Sequence, residues 1–305
     1  MSGIIAVTGA TGYIGRFVVA ELARRGLMVR ALARAESNRD GFNTRIEWIT
    51  GGLRSEAALA ELVQGVAAVI HLAYEHVPGR YRGGEGADLS GWLDANVNGS
   101  LRLLVAAQQA GVPKFIFLSS RAVFSHTEPG RELDETHPTS PDTHYGAYKV
   151  AVEAFLKSFA QVTGIKTYSV RATGVYGLTW PVERSKWWAL VTAVLNNQTV
   201  TSSGGGTEVY GADVARVIGE LVERPLLPFD TVHLSDRYVT HREVVELARR
   251  LANRPGPLPP LPAAPPQNQM VSRYLADLGV TLGGVAALEN TVSELLQAVQ
   301  VGLGF

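Results

Sequence analysis

The sequence predicts an α/β fold with a doubly wound parallel sheet, followed by a smaller C-terminal region. Three observations indicate this. Short apolar runs alternate with helix-patterned segments over the first half of the chain, a glycine-rich turn follows the first apolar run, and the alternation loosens after residue 171. Such alternation is typical of a parallel sheet that is covered by helices on both faces. We therefore expect residues 1–171 to form the first domain and 172–305 the smaller region, whose elements can interleave with the first.

Apolar runs of strand length define the predicted sheet. The predicted buried strands are Ile4–Val7, Val29–Leu32, Ile46–Ile49, Ala67–Leu72, Phe115–Leu118 and Thr167–Val170. The helices expected between them are Arg16–Arg25, Ser55–Val63, Leu93–Ala110 and Tyr145–Thr163. Later elements are shorter, with helices at Trp187–Asn196, Ala212–Val222, His241–Leu251 and Leu288–Val299 and a strand at Val232–Leu234. The proline-rich segment Arg254–Pro266 is either an extended connector or a polyproline partner motif.

The composition limits the possible functions. The chain has 305 residues, and 28 basic residues balance 28 acidic ones, which argues against a nucleic-acid surface or a polybasic membrane patch. The absence of cysteine excludes disulfides, thiolate metal sites and a cysteine nucleophile. The first strand begins too early for a signal peptide, and no apolar run is long enough to span a membrane. We expect a cytoplasmic protein that acts on a small molecule and uses no metal.

Glycines follow the first strand at three-residue intervals, at positions 9, 12 and 15, and a helix-patterned segment begins directly after them. Glycines at such a strand-to-helix turn allow a tight turn, close approach of backbone N–H groups to a pyrophosphate, and close packing of the helix on the strand. The turn predicts a dinucleotide site, although the motif alone is weakly specific.

A second motif strengthens this interpretation. Tyr145 and Lys149 stand four residues apart at the start of a predicted helix, so they share one face. A lysine cation beside a tyrosine favours the phenolate and lowers the pKa of the phenol. Ser119 and Ser120 follow the strand that ends near Leu118. Taken singly, the pair is more often a solvated helix face and the serines a turn.

Together with Val69–Ala73, Asn96–Gly99, Phe117–Phe124 and Val175–Gly177, these motifs resemble the extended branch of the short-chain dehydrogenase/reductase superfamily, the NAD(P)-dependent epimerase/dehydratase family. The resemblance covers nearly the whole chain. It implies a Rossmann-type sheet, a nicotinamide cofactor and a substrate-binding C-terminal region. It also implies a homodimer formed through the helices at 93–110 and 145–163.

The resemblance assigns catalytic roles to three residues. Tyr145 would be the general acid/base, Lys149 would modulate its pKa and bind the ribose, and Ser120 would anchor the substrate oxygen. The expected reaction interconverts a secondary alcohol and a ketone on a small polar, sugar-like substrate. One alternative is a sugar or nucleotide-sugar epimerase or dehydratase that retains its cofactor. Another is a regulator that senses NADP(H) without catalysis.

The same resemblance, with the spacing of the motifs, gives the expected cofactor contacts. They are Gly9, Thr11, Gly12, Tyr13, Ile14, Gly15, Arg16, Arg34, Leu53, Leu72, Ala73, Tyr74, Asn96, Ser119, Tyr145, Lys149, Ala172 and Val175. The second strand lacks a terminal carboxylate for the ribose, because Ala33 occupies that position. Arg34 and Arg16 therefore favour NADP(H), with NAD(H) still possible. Both arginines can also be ordinary surface residues.

The substrate contacts are expected from Tyr74, His76, Ser120, Arg121, Tyr145 and Gly174. The loop that begins at Tyr74 is either a mobile lid for an anionic group or a solvated loop. Nucleotide-sugar epimerases of the family carry an asparagine where this chain has Gly174 and an arginine in a later loop, here 204–211, which has none. A small polar substrate is therefore favoured over a nucleotide diphosphate. Trp187 and Trp188 either wall the pocket or belong to the core, and His71 is either a base or a core histidine; we expect all three to be core residues.

Overall fold

The computed structural model describes residues 3–80, 83–224, 227, 230–263 and 269–303. Its strands are β1 Ile4–Thr8, β2 Met28–Ala33, β3 Ile46–Thr50, β4 Ala68–His71, β5 Lys114–Ser120, β6 Lys166–Ala172, β7 Gly174–Tyr176, β8 Gly205–Tyr210, β9 Thr231–Leu234 and β10 Arg237–Thr240. Its helices are α1 Tyr13–Arg24, α2 Glu56–Val63, α3 Leu89–Leu93, α4 Gly99–Gln109, α5 His144–Thr163, α6 Trp188–Leu195, α7 Gly211–Glu223, α8 His241–Leu251 and α9 Gly284–Leu303.

Seven strands form one parallel sheet in the order β3-β2-β1-β4-β5-β6-β9. The chain moves outward from β1 in one direction and then starts again from β4 in the other, so the strand order reverses between these two neighbours. Ligands of open α/β sheets bind beyond the carboxyl ends of the strands at such a reversal. The predicted doubly wound fold is confirmed, and it opens a crevice at the ends of β1 and β4.

Two apolar clusters cover the faces of this sheet. One joins α1 and α7 to β1, β2 and β6, and the other joins α2, α4 and α5 to β3, β4 and β5. Strands β1, β4 and β5 read as nearly continuous apolar runs because both of their faces are buried, whereas the edge strand β3 leaves Glu47 and Thr50 exposed. This burial made the inner strands recognisable from sequence alone.

The C-terminal half contains a sheet that the sequence analysis missed. Strands β10, β8 and β7 pair in that order, and β8 occupies the segment 204–211 that was expected to be a loop. An apolar cluster joins this sheet to α6, α8 and α9 and includes Trp187 and Trp188, as expected for core residues. Meanwhile β9 pairs with β6 and α7 packs on α1, so the two halves of the chain interleave.

Two further differences concern helices. The helix predicted at 93–110 is divided by a π-helical turn at Asp94–Asn98, and the last helix begins at Gly284 rather than at Leu288. The described part of the proline-rich segment, 254–263, has no helix or strand, and Ala264–Pro266 lie outside the described residues. Within the described ranges every helix is too short or too polar to cross a bilayer.

Candidate active site

The glycine-rich turn joins β1 to α1 at the reversal of the strand order. A Cβ on Gly9, which has φ +74°, would lie 2.7 Å from the Ala73 nitrogen, and a Cβ on Gly15 would overlap the Gly9 carbonyl. Gly12 caps α1 with its backbone alone, and the first turn of the helix carries no acidic residue. Thr11 and Ile14 complete the turn, and the N–H groups and helix dipole at the start of α1 suit a pyrophosphate.

A cleft of about 320 Å³ extends the crevice past the ends of β2 and β3. Arg34, Gly51, Leu53 and Ala95 are among its lining residues. The Arg34 side chain is 59% exposed and pairs with Glu36 at 2.9 Å. Its guanidinium therefore lies at the rim, where it can turn toward a ligand in the cleft.

Arg16 does not join Arg34 at this cleft. Its guanidinium is buried over the Phe42 ring, 4.5 Å from the ring centre, and donates to the carbonyls of Asp40 (2.7 Å) and Asn38 (3.2 Å). The role of Arg16 as a second cation for a 2′-phosphate stays a prediction, and in the structure its guanidinium binds backbone carbonyls instead. Arg16 stabilises the loop after β2, because two of its guanidinium nitrogens donate to backbone carbonyls of that loop.

Tyr145 and Lys149 lie on one face of α5, as predicted. The Lys149 Nζ lies 5.5 Å from the centre of the Tyr145 ring and donates to the Leu118 carbonyl at 2.6 Å. Burial lowers the pKa of Lys149 to about 7, and the nearby Glu153 carboxylate opposes this shift. Lysine charge at this site is consequently sensitive to pH near neutrality.

The start of α5 packs directly on the turn that follows β5. A Cβ on Gly146 would overlap the Ala122 carbonyl, so only glycine allows this approach. Ser120 ends β5 half-buried, and its Oγ accepts from the Ala122 nitrogen at 3.1 Å. The fold thus places Ser120 beside the helix turn that carries Tyr145.

The neighbouring serine points elsewhere. Ser119 is buried, and its Oγ donates to Glu153 Oε1 at 2.5 Å. Successive side chains of a strand face opposite sides of the sheet, so Ser119 and Ser120 cannot both face the crevice. Ser119 was predicted as a cofactor contact, but its side chain belongs to a buried network behind the site.

That network was missed by the sequence analysis. Arg171 binds Glu153 through two hydrogen bonds of 3.0 and 2.6 Å, and its third nitrogen lies 3.3 Å from His233 Nε2. Burial, followed by the Arg171 charge, lowers the pKa of His233 to about 3, so the imidazole is neutral. The only sequence signal was that Glu153 follows Lys149 by four residues on the same helix face.

Tyr74 leaves the end of β4 and lies between the loop and the helix. Its ring centre is 4.9 Å from that of Tyr145 and 4.8 Å from that of His76, on which it stacks. Leu72 and Ala73 lead into it, and their nitrogens bond to the Thr8 carbonyl and hydroxyl. The structure therefore brings together Tyr74, His76 and Tyr145, as the predicted substrate set requires.

Asn96 was predicted to contact the cofactor, but its side chain has other partners. It is fully buried in the π-helical turn, accepts from the Glu75 nitrogen (2.8 Å), and donates to the carbonyls of Glu75 (2.9 Å) and Trp92 (3.0 Å). The amide is bound by the backbone of Glu75, in the loop after Tyr74, and of Trp92, and the predicted cofactor contact stays a prediction. Asn96 positions that loop.

The remaining predicted residues lie around the crevice. Ala172 pairs with Ser120 at the ends of β6 and β5, and Gly174 and Val175 follow in β7. Arg121 donates to the Phe124 carbonyl at 2.6 Å from the turn after Ser120. Tyr13 donates to the Gly177 carbonyl at 2.7 Å, which links the glycine-rich turn to β7.

His71 is a core residue, as expected. It is fully buried, its two ring nitrogens lie 2.7 Å from the Thr8 hydroxyl and 2.8 Å from the Ser100 hydroxyl, and burial lowers its pKa to about 3. Over the described residues, no group of three His, Asp or Glu side chains is arranged to hold a metal ion.

Residues 5–226 match the NAD dependent epimerase/dehydratase family. The chain is 31% identical over 179 residues to a 3 beta-hydroxysteroid dehydrogenase/Delta 5-->4-isomerase of Mycobacterium tuberculosis, covering 57% of this chain and 48% of that protein. It is 27% identical over 250 residues to a UDP-glucose 4-epimerase of Rhizobium leguminosarum, covering 79% and 72%. The chain spans about half the length of several curated relatives it matches, including this dehydrogenase.

The fold has solved counterparts. The structure of Thermus thermophilus UDP-glucose 4-epimerase in complex with NAD superposes with a TM-score of 0.77 at 25% identity, covering 96% of this chain and 98% of the other. The likeness extends over the C-terminal half as well as over the parallel sheet.

Proposed function

The chain belongs to the NAD-dependent epimerase/dehydratase family, and from this premise we propose that it is an oxidoreductase that interconverts a secondary alcohol and a ketone on a small polar, sugar-like substrate. The observation that carries the proposal is the placement of the Lys149 ammonium 5.5 Å from the Tyr145 ring, next to the turn that holds Ser120. This arrangement can move a proton to or from an oxygen bound at the crevice.

The residues at the crevice fit a nicotinamide dinucleotide. The glycines at 9 and 15 form a cradle that any Cβ would fill, and the uncapped start of α1 would hold the pyrophosphate. Leu53 and Arg34 line the cleft that would take the adenosine half. The cofactor, when bound, supplies or accepts the hydride.

The protein's own residues handle the substrate oxygen and its proton. Ser120 would donate a hydrogen bond to that oxygen and hold it, while the Tyr145 hydroxyl gives up or receives the proton. The Lys149 charge stabilises a negative phenol oxygen on Tyr145. The rings of Tyr74 and His76 would cover one side of the substrate and exclude water.

The cofactor is proposed to be NADP(H) in preference to NAD(H). Arg34 at the rim of the cleft supports this, because its guanidinium can bind a 2′-phosphate bidentately. The solved relative with bound NAD favours the other dinucleotide. Arg16 adds no support, since backbone carbonyls occupy its guanidinium.

Epimerisation is the second candidate. It uses the same proton transfer, and a relative named UDP-glucose 4-epimerase covers more of the chain than the dehydrogenases do. A regulator that binds NADP(H) without catalysis is the third, and the retained Tyr145–Lys149 pair argues against it.

We propose three further properties. Residues 1–171 would form the dinucleotide-binding unit and 172–305 the substrate-binding region. A homodimer would form through the helices at 93–109 and 144–163, where Leu93, Val105, Phe155 and Val162 are exposed apolar side chains. A cytoplasmic location is consistent with a chain that has no cysteine.

Oxidation of secondary alcohols, followed by nicotinamide absorbance, tests the proposed function. Tyr145→Phe should bind cofactor as well as the wild type does and lose activity by about 10²–10⁴-fold. Turnover without added cofactor, with cofactor retained through purification, would replace the dehydrogenase by the epimerase. Cofactor binding without turnover of any alcohol, ketone or sugar would support the regulator.

A further inference from the structure

Lys186 and Glu208 form an ion pair that the roles assigned above do not use. The Lys186 Nζ lies 2.5 Å from both carboxylate oxygens of Glu208. The Glu208 side chain is 6% exposed, whereas that of Lys186 is 33% exposed. The ammonium is therefore the end of the pair that an incoming molecule meets.

The pair lies at the crevice. Glu208 in β8 is the direct partner of Gly174 in β7, and a Cβ on Gly174 would overlap its carboxylate and lie 2.8 Å from the Lys186 Nζ. Gly174 follows Ala172, the strand partner of Ser120, by two residues. The absence of a side chain at 174 thus makes room for the ion pair beside the proposed substrate site.

The backbone of Lys186 is also held at the cofactor side. Its nitrogen donates to the Tyr13 hydroxyl at 3.1 Å, and Tyr13 begins α1 directly after the glycine-rich turn. The pair consequently spans the space between this turn and the end of β6.

The charges of Lys186 and Glu208 determine which ligand groups can bind beside the pair. A diphosphate that accepts the remaining N–H of Lys186 brings its own negative charge next to the buried Glu208 carboxylate, and a diphosphate that displaces Glu208 leaves this carboxylate without its partner at a large cost. Burial already raises the pKa of Glu208, which shows how poorly the pocket solvates its charge. An uncharged hydroxyl or carbonyl oxygen can instead accept the remaining N–H of Lys186 without breaking the pair.

We propose that the Lys186–Glu208 pair selects uncharged, hydroxylated substrates and rejects nucleoside diphosphate groups. Glu208 repels a diphosphate, whereas Lys186 donates a hydrogen bond to an uncharged hydroxyl or carbonyl oxygen, so the pair discriminates between the two classes of ligand. The inference rests on the proposed function, because it assumes that the crevice beside Ser120 is the substrate site.

Calorimetric titration of the full chain with UDP, with and without saturating NAD(P)H, tests the proposal. The wild type should bind UDP with a Kd weaker than about 1 mM. Glu208→Gln removes the competing charge and frees the Lys186 cation, so UDP binding should tighten at least tenfold. Glu208→Leu frees the same cation without leaving a buried amide and serves as the second variant if Gln disturbs folding.

Glu289→Gln is the matched control. Glu289 pairs with Arg250 at 2.6 Å on the exposed faces of α8 and α9, away from the strand that carries Glu208. An equal gain in this control, no gain in either Glu208 variant, or micromolar UDP binding by the wild type would overturn the inference. Failure of the proposed function is separately visible, because the wild type would then oxidise no secondary alcohol and reduce no ketone in the nicotinamide-absorbance assay, whatever its affinity for UDP.

Discussion

Arg171 and Glu153 face each other across a bidentate ion pair from which water is almost excluded, with side chains 5% and 6% exposed. The pair lies directly behind the site. Glu153 also receives the Ser119 hydroxyl and opposes the loss of charge on Lys149. The proposed catalytic residue Lys149 and the end of β5 therefore lie directly in front of a buried ion pair within an otherwise apolar sheet.

Removing one partner of this pair should be costly. Glu153→Gln leaves the buried Arg171 cation without a counter-charge, so we expect the free energy of unfolding to fall by about 3–5 kcal/mol. Urea denaturation measures this. Glu128→Gln, which disrupts an exposed pair with Arg131, should cost less than about 1 kcal/mol. Similar losses of unfolding free energy in the two variants would contradict the expectation that the buried pair contributes more to stability than the exposed one.

Lys149 should make stability depend on pH. Its pKa is about 7 in the folded protein and 10.5 when unfolded, so between these values the unfolded chain holds more protons and stability rises with pH. Below pH 7 both states are protonated, and the cost of the buried charge is fully present.

Lys149→Met should consequently be more stable than the wild type near pH 6, by several kcal/mol. The difference should shrink as the pH rises from 7 toward 10.5. Denaturation of both proteins at a series of pH values measures it. A difference that does not change with pH would mean that the folded lysine keeps its ordinary pKa. Activity should be lost at every pH.

Arg34 should determine the preference for the phosphorylated cofactor. Arg34→Ala removes a charge-assisted contact, so we expect NADPH to bind about 10–100-fold more weakly while NADH is unaffected. Calorimetric titration with each cofactor measures the two affinities. Arg39→Ala removes another arginine of the same loop, one that stacks on Trp48, and should change neither. Tighter binding of NADH by the wild type would refute the assignment.

Asn96 should act through the loop that it holds. Asn96→Ala removes three hydrogen bonds to buried backbone groups, so we expect a stability loss of about 2 kcal/mol or more. Amide exchange near Tyr74 should accelerate, and the KM of the substrate should rise because the ring is no longer fixed. Asn98→Ala changes a neighbouring residue whose side chain donates to Asp94 Oδ1 in an exposed contact of 3.3 Å, and it should leave both unchanged. Loss of cofactor affinity without faster amide exchange would instead indicate that Asn96 contacts the cofactor directly.

The parallel sheet could be predicted because buried strands are short apolar runs and their order follows from alternation with helices. The sheet of β7, β8 and β10 could not. Strand β8 begins with Gly205 and Gly206, which disfavour strands in isolation, and pairs only because its neighbours are folded around it. Local composition does not contain that information.

The site was predictable to the same extent. The positions of Tyr145, Lys149 and Ser120 followed from motifs, but the directions of side chains did not. Ser119 and Ser120 are adjacent and chemically identical, and the register of β5 in the sheet determines which one faces the distant Glu153. Asn96 and Arg16 are similar cases, because backbone groups far along the chain satisfy them.

The pairing of β9 with β6 has a consequence for how the chain is made. During synthesis, β6 leaves the ribosome well before Thr231–Leu234 exist, and until then its outer edge displays unpaired backbone groups. Such an edge is a template for pairing with other chains. A nascent fragment that stops near residue 172 would therefore be prone to aggregate. The edge of β6 is covered only when β9, from the other half of the polypeptide, has been synthesised and has paired with it.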